Sequence, residues 1–593
     1  AALATYPTLA EPNLSLLQQS GLWSAGYLVV TGLALACAAA TALVGRAGPP
    51  AASTPAEQAP ASARATWLQR GRWLVLALVP SSLLLGVTTH LTMNIAAAPL
   101  FWAVPLGLYL LSFILAFQTL VPLPLAWTSW LQAALLTALA VTFLTAEAAP
   151  SLTLFALNLA AFFITALLCH QLLAAERPTP ARLTEFYLVV ALGGALGGAF
   201  NALLAPVIFQ RVVEYPLMLV AACLLRPGGW PKRAQAQSGM LDLIIPAALL
   251  IDLMALASLV GLDLTDLNGA AQVIVVITAL VVFAAQARPV RFALAFGALS
   301  VAGAYAAGAF GPELARARNY YGILSVIDHA KPPVRVLING TIEHGAQSLD
   351  PARRLQPLGY YHHAGPLGSL FARIGGGPLT QSVATVGLGS GSVACYAEAG
   401  EHWTFYEINP AVVRIASNPR LFTFLRDCPA HPAIVLGDAR LSLERAPDHA
   451  FGLILLDAFS SDAIPTHLMT REAVRLYSAK LRPGGLIVFH VSNQFLDLAP
   501  VVESVANAEG LGALDFNDEN ATNTGDAPTN PATTDYKDAS EWVVVGRTAD
   551  LAPLAIDKGW RPLQPTRGVR AWTDDYSDVF GALIRRQRLA PSP

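Results

Sequence analysis

Val383-Ala-Thr-Val-Gly-Leu-Gly-Ser-Gly391 is an apolar strand running into a turn with glycine at 387, 389 and 391. Trp403-Thr-Phe-Tyr-Glu407 then places a carboxylate 20 residues after Gly387. Such glycines let backbone approach a ligand, and an acid ending the next strand takes ribose hydroxyls, which is how a Rossmann-like sheet holds a nucleoside. Two more strand ends follow: Ile434-Val-Leu-Gly-Asp438-Ala439, and Phe451-Gly-Leu-Ile-Leu-Leu-Asp457. A glycine turn alone can be no more than a tight turn, and Asp438 read alone can equally cap a helix. The reading rests on Gly387, Gly389, Gly391, Glu407, Asp438 and Asp457 falling in order on successive elements.

Four strand ends delivering polar groups to one edge fit an S-adenosylmethionine-type site better than a dinucleotide site. The expected ligand is therefore of the S-adenosylmethionine type, with Ala439 beside Asp438 among the residues that bind it.

The rest of the chain is different material. Of 593 residues 54% are hydrophobic and only 13% charged, and most of the apolar excess precedes residue 311. A soluble domain carries about 25% charged residues. Apolar runs lie near 21–44, 73–90, 95–117, 126–146, 151–174, 187–209, 212–225, 241–260, 270–287 and 292–310, each of a length that spans a bilayer's hydrocarbon. About ten helices are expected, because only helices close their own backbone hydrogen bonds in lipid. His90, Asn94, Asn158, His170, Asn201 and Asp252 fall within these runs, where polar groups face protein or a cavity. Gly193-Gly-Ala-Leu-Gly197-Gly198 carries two overlapping small-xxx-small pairs that suit close helix packing.

Arg46, Arg64, Arg70 and Arg72 share one loop; Arg177 and Arg182, then Arg226, Lys232 and Arg233, then Arg288 and Arg291 lie in loops two spans apart. Asp263 and Asp266 occupy an opposite loop. The positive-inside rule makes the basic set cytoplasmic, and counting on through ten spans leaves residues 311–593 outside. S-adenosylmethionine is nevertheless a cytosolic metabolite. An integral protein of a bacterial inner membrane with a cytoplasmic soluble half is therefore expected, provided one span is re-entrant or miscounted; the loop charges point the other way.

Residues 311–593 resemble the spermidine synthase family of aminopropyltransferases, and the helical half is similar to bacterial fused major-facilitator-like/spermidine synthase proteins. The marks of the latter are Tyr6-Pro-Thr-Leu-Ala-Glu-Pro-Asn-Leu, Thr88-Thr-His-Leu-Thr-Met-Asn and Leu183-Thr-Glu-Phe-Tyr. Against that pattern a start at Ala1 reads as a truncated or processed copy. The resemblance implies an α-helical polytopic membrane domain (1–310), a small β-rich lead-in domain (311–380), and a Rossmann-like S-adenosylmethionine-type methyltransferase/spermidine synthase fold (381–593). Tyr321-Gly-Ile-Leu-Ser-Val-Ile and Val334-Arg-Val-Leu-Ile-Asn-Gly supply hairpin material for the β domain.

By resemblance, the donor is S-adenosylmethionine or its decarboxylated form, His344-Gly-Ala-Gln347 gives Gln347 to that donor, and Tyr360-Tyr361-His362-His363 gives Tyr361 and His362 to the acceptor. In Asp457-Ala-Phe-Ser-Ser-Asp462, Asp457 is the expected base and Asp462 the amine-binding group. Aminopropyl transfer needs a deprotonated amine to attack the carbon beside a sulfonium, and a positioned carboxylate serves. A strand-end loop with a helix cap is the structural alternative. The chain departs from the family where the two acids stand five apart instead of three, where Ser390 replaces an aspartate that binds the donor's amine, and where His363 replaces a glutamate. These departures admit ordinary S-adenosylmethionine, and with it methyl or aminocarboxypropyl transfer.

The five cysteines, Cys37, Cys169, Cys223, Cys395 and Cys428, show no Cys-x-x-Cys spacing, so neither a metal site nor a disulfide framework is expected. A net charge of −2 leaves no nucleic-acid footprint. Residues 517–540 read as a mobile polar loop, and Asp574 and Asp575 as surface acids or acceptor-site neighbours. Expected partners are the lipid bilayer and a small-molecule amine, with a homo-oligomer or membrane complex left open. Three functions compete: a membrane-anchored transferase, a transporter whose nucleoside domain senses a metabolite, and a structural subunit with an inactive enzyme-like domain.

Overall fold

The computed structural model describes residues 5–46, 66–94, 102–118, 123–145, 152–227, 236–259, 269–306, 313–340, 342–458, 465–493, 495–518, 536–557 and 559–589. Among the described residues, ten apolar helices of more than ten residues precede the first strand: α1 Leu16–Arg46, α2 Trp67–Asn94, α3 Ala103–Phe117, α4 Leu125–Leu144, α5 Leu152–Ala175, α6 Leu183–Ala199, α7 Glu214–Leu224, α8 Ala236–Leu259, α9 Ala270–Ala284 and α10 Pro289–Ala306. Helix α6 runs on through a π turn, Phe200–Leu204, to Ile208. Six of these segments are long and apolar enough to cross a membrane, and four are shorter.

The glycine run of α6 packs as its spacing implies. A Cβ on Gly193 would press on the Leu74 carbonyl of α2, and one on Gly197 on that of Leu78, whereas Gly194 and Gly198 face open space. Polar side chains inside the bundle find partners there: Ser112 with His170 Nδ1 at 3.0 Å, and Tyr215, whose hydroxyl donates to Asn158 at 3.0 Å. His90 stacks on Tyr215, whereas Asp252 is exposed on α8. The side chain of Asn94, and Asp263 and Asp266, lie outside the described residues.

Strands β1 Glu313–Asn319, β2 Gly322–Ala330, β3 Pro333–Asn339 and β4 Ile342–Ser348 form an antiparallel meander in that order. The larger sheet holds β5 Ser382–Val386, β6 His402–Glu407, β7 Ala433–Leu436, β8 Phe451–Leu456, β9 Leu481–His490, β10 Gly512–Asn517, β11 Glu541–Gly546 and β12 Arg561–Pro562. Its order is β12-β10-β11-β9-β8-β5-β6-β7. Strands β7, β6, β5, β8 and β9 are parallel, and the other three join antiparallel.

All six residues of β8 are buried, as a central parallel strand covered on both faces requires. Leu453 and Leu455 pack with Trp403 and Phe405 on one face, and Ile454 and Leu456 with Val386 and Tyr477 on the other. Strand order reverses at β5, between β8 and β6, so a crevice opens outside the carboxyl ends of these strands.

One expectation about the cysteines needs correcting. Cys395 and Cys428 are joined, with Cα atoms 5.0 Å apart. Thirty-three residues separate them, so only the tertiary fold, which sets Cys395 after the glycine turn against the end of the short helix Phe424–Asp427, brings them together.

Candidate active site

The crevice is floored by the strand ends and roofed by the small β domain. Gly387 holds φ +96°, and a Cβ there would collide with the Asp457 carbonyl; Gly389 holds φ +53° with the His344 carbonyl where a Cβ would stand. Only glycine fits both demands, so the turn closes against β8 and β4 together. Gly387, Gly389, Glu407, Asp438, Ala439, Asp457 and Tyr361 all line one cleft, with Tyr321, Leu324 and Asn339 contributed by the β domain.

Glu407 is 7% exposed and accepts two backbone hydrogen bonds, from Leu388 N at 3.0 Å and Asn409 N at 2.7 Å. Burial holds its carboxyl above the usual range, and the N–H donors offset only part of that rise. A carboxylate has about four lone-pair positions, so acceptor capacity remains toward the cleft. Asp438 caps the helix Ala439–Arg445, accepting from Leu441 N at 2.9 Å, and its second oxygen lies 3.5 Å from His467 Nε2. Capping and cleft lining coexist in one side chain.

Asp457 continues β8, its N–H donating to the Val386 carbonyl at 2.8 Å. Its Oδ1 lies 2.7 Å from His490 Nδ1, and its Oδ2 accepts from the Tyr361 hydroxyl. Neither acidic nor imidazole side chain is more than 6% exposed. His490 Nε2 sits 2.8 Å from Ser492 Oγ, and the ring is stacked between Tyr360 and Trp542 at centroid distances of 4.7 and 4.4 Å. Since a carboxylate only accepts, Nδ1 carries the proton toward Asp457. Burial and the Asp457 charge hold the Tyr360 and Tyr361 phenols well above their ordinary range, so both stay protonated donors.

His344 also lines the cleft. Its Nε2 is buried without a hydrogen-bond partner, and burial pushes the ring down to about 4. It stands neutral near pH 7.

Other residues singled out in the sequence lie elsewhere. Gln347 is 4% exposed, but its amide bridges the Arg354 carbonyl and Thr423, donating at 3.0 and 2.9 Å and accepting from Thr423 N at 3.1 Å; it ties β4 to the turn before the helix Phe424–Asp427 and does not line the cleft. His362 turns back on its own loop, its Nδ1 accepting from Ala364 N at 3.1 Å. Gly391, φ +87°, starts the short helix after the turn and packs on Leu425. Asp462 lies outside the described residues.

Ser390 is fully buried, with its Oγ against Gly345. An aspartate there would be aimed at β4. Asp574 is held by Arg440 and Thr470, and Asp575 accepts from Leu17 N at 2.8 Å, so both acids are structural.

His490, His344, Tyr360 and Trp542 were not assigned from sequence. For His490 a signal existed: Leu486-Ile-Val-Phe-His490 is an apolar strand ending in a polar group, the same pattern that marks Asp457.

No family model matches the chain. Over 119 residues, 19% of the chain, it is 38% identical to a polyamine aminopropyltransferase of Vibrio vulnificus (strain CMCP6), and the match spans 38% of that relative's length. Among solved structures it is similar to a probable spermidine synthase from Corynebacterium glutamicum ATCC 13032, at 15% identity over 45% of this chain and 97% of that one, TM-score 0.32. It is also similar to a spermidine synthase from Thermotoga maritima, at 11% identity over 46% and 84%, TM-score 0.28. The soluble half is spermidine synthase-like, carried behind a helical apolar region.

Proposed function

We propose that the soluble half is a membrane-anchored transferase that binds S-adenosylmethionine or its decarboxylated form and moves an aminopropyl-type group to an amine. The observation that carries this reading is Asp457, set at the strand-end cleft and held from both sides by Tyr361 and His490. Glu407, beside the glycine turn, would take the ribose hydroxyls. Similarity to an aminopropyltransferase supports the same chemistry.

In the proposed step the amine lone pair forms a bond to the carbon next to the sulfonium. The carbon–sulfur bond breaks with its electron pair on sulfur, leaving a neutral thioether nucleoside, and the proton shed by the new ammonium passes to Asp457. Two donors fix the carboxylate's direction, which keeps it aligned on the attacking nitrogen. Tyr361 and His490 are positioning residues here.

The test is mass spectrometry of products from detergent-purified full-length protein offered both sulfonium donors and a panel of amines. Thioether nucleoside together with an extended amine is the expected result. Donor binding without product from any pair overturns transfer and leaves a metabolite-binding domain. That second reading has its own support, because both Asp457 oxygens already accept hydrogen bonds, as in a purely architectural strut. Methylated amine as the sole product would instead make the protein a methyltransferase.

A further inference from the structure

We infer that the cleft of the soluble half opens on the extracytoplasmic side of the membrane, so that the molecules it handles are met outside the cytosol. Calling those molecules a nucleoside and an amine rests on the function proposed above; the side of the membrane does not.

The first support is which end of the helical bundle carries the cations. Arg70 at the start of α2 pairs with Glu185 at the start of α6, Arg72 with Glu176 after α5, and Arg288 and Arg291 at the start of α10 with Asp242 near the start of α8. These helix ends form one face of the bundle. The soluble half sits at the other. Helix α6 leaves Glu185 and runs on to Ile208, and just beyond it the Phe209 and Arg211 carbonyls accept from Arg318 of β1. Glu214, opening α7, pairs with the same Arg318, while Arg226 after α7 returns to the basic face, where it donates to the Ser129 carbonyl and Gln132 near the start of α4. Helix α1 repeats the pattern: Leu16 and Leu17 at its start bond Asp575, and Arg46 ends it.

Among the described residues, eight of the nine Lys and Arg residues before position 307 therefore belong to the helix ends away from the soluble half, and Arg211 is the exception. The stretches 95–101, 146–151, 260–268 and 307–312, which follow α2, α4, α8 and α10, contain no Lys or Arg. Short loops rich in Lys and Arg stay cytoplasmic. The bias puts the basic face inside and the soluble half outside.

The second support is independent of the bundle. Cys395 and Cys428 are paired within the soluble half, and disulfides persist in oxidising compartments and are rare in the cytosol. A donor made in the cytosol must then be exported before it reaches this cleft, and adenosyl compounds and amines of the extracytoplasmic space become the ligand class.

The experiment uses the full chain in bacterial cells with Cys37→Ser as background. Thr179→Cys marks the exposed basic-face loop and Ile556→Cys the exposed surface of the soluble half. A membrane-impermeant maleimide applied to spheroplasts is expected to label Ile556→Cys at once and Thr179→Cys only after permeabilisation. Reverse labelling, labelling of both, or labelling of neither before permeabilisation overturns the inference. In the same cells, acid-trapped protein is expected to take a mass-tagged maleimide at Cys395 and Cys428 only after reduction; tagging without reduction also overturns it. Absence of methylthioadenosine binding by calorimetry would defeat the functional reading while leaving the labelling pattern untouched, so the two failures are distinguishable.

Discussion

Asp457 and His490 stand at the ends of neighbouring parallel strands in register, Leu456 beside Phe489, and their buried side chains meet at 2.7 Å where Asp457 lines the cleft. A carboxylate that must both hold a histidine and receive a proton is sensitive to loss of charge. Asp457→Asn retains the shape, and turnover per folded molecule is expected to fall on the order of a hundredfold or more with donor affinity little changed. Melting and rate measured on one preparation check this; a purely architectural Asp457 lowers the melting temperature and leaves turnover per folded molecule nearly intact.

His490 has no place in the reacting atoms, so its removal should act through Asp457. His490→Ala empties the gap between Tyr360 and Trp542 and strips Asp457 of one donor, a loss of about 1–3 kcal/mol in stability. His490→Gln keeps a donor and should restore turnover more than stability. The discriminating readout is the pH profile of kcat, whose acidic limb should move in His490→Ala and return in His490→Gln; an unmoved limb assigns His490 to packing alone.

Glu407 serves both the protein and, as proposed, the ribose. Glu407→Ala should weaken methylthioadenosine binding by about 1–3 kcal/mol, the scale of hydrogen bonds to a charged group, as read by calorimetry. Since Leu388 N and Asn409 N also lose their acceptor, a fall in melting temperature should accompany it. Undiminished affinity would remove Glu407 from the site.

These residues show what the sequence could and could not carry. Val383–Gly391, Glu407 and Asp457 were legible because strand propensity, glycine and a terminal acid are local properties, and the sheet obeys the same period. The apolar helices were legible because lipid demands length and composition, although six and not ten of the described segments are long enough to cross a membrane. Partnership was not. Gln347 is spent on Thr423 and Arg354, 76 and 7 residues away, and Ser390 points at Gly345, directions that only the packed β domain determines. The disulfide escaped for the same reason, and so did His490, whose partner Asp457 lies 33 residues away and is set beside it only by the pairing of β8 with β9.

Glu343 on β4 predicts a pH dependence. Its carboxyl is pushed up to about 8 by burial first and by the Asp538 charge second, with the Tyr536 hydroxyl donating to it at 2.7 Å. A carboxyl whose folded value is raised contributes stability that is fully present below its ordinary 4.5 and is lost as pH rises through about 8. Melting temperature of the soluble half should therefore decline between pH 5 and 8 through this group. Glu343→Gln should flatten that decline and leave the variant relatively more stable at the alkaline end; an unchanged slope means another group is responsible.

Arg318 and Glu214 join the two halves of the molecule. The guanidinium reaches both carboxylate oxygens, at 2.6 and 3.1 Å, and also donates to the Arg211 carbonyl at 2.7 Å; the two side chains are only 7% and 1% exposed. Removing one member of so buried a pair leaves the other charge without compensation, a cost of about 3–5 kcal/mol, whereas replacing both by neutral groups of similar volume is often tolerated. Arg318→Met alone should therefore loosen the junction between β1 and the start of α7. Limited proteolysis of detergent-purified protein should release the soluble half sooner, and its own melting transition should separate from that of the helical half. Arg318→Met combined with Glu214→Gln should recover most of the lost resistance. If the single variant is as resistant as the unmodified protein, the contact is incidental and the halves are held by the bonds of Leu16 and Leu17 to Asp575 instead; if the double variant is no better than the single, the carbonyl bonds of Arg318, not the ion pair, secure the junction.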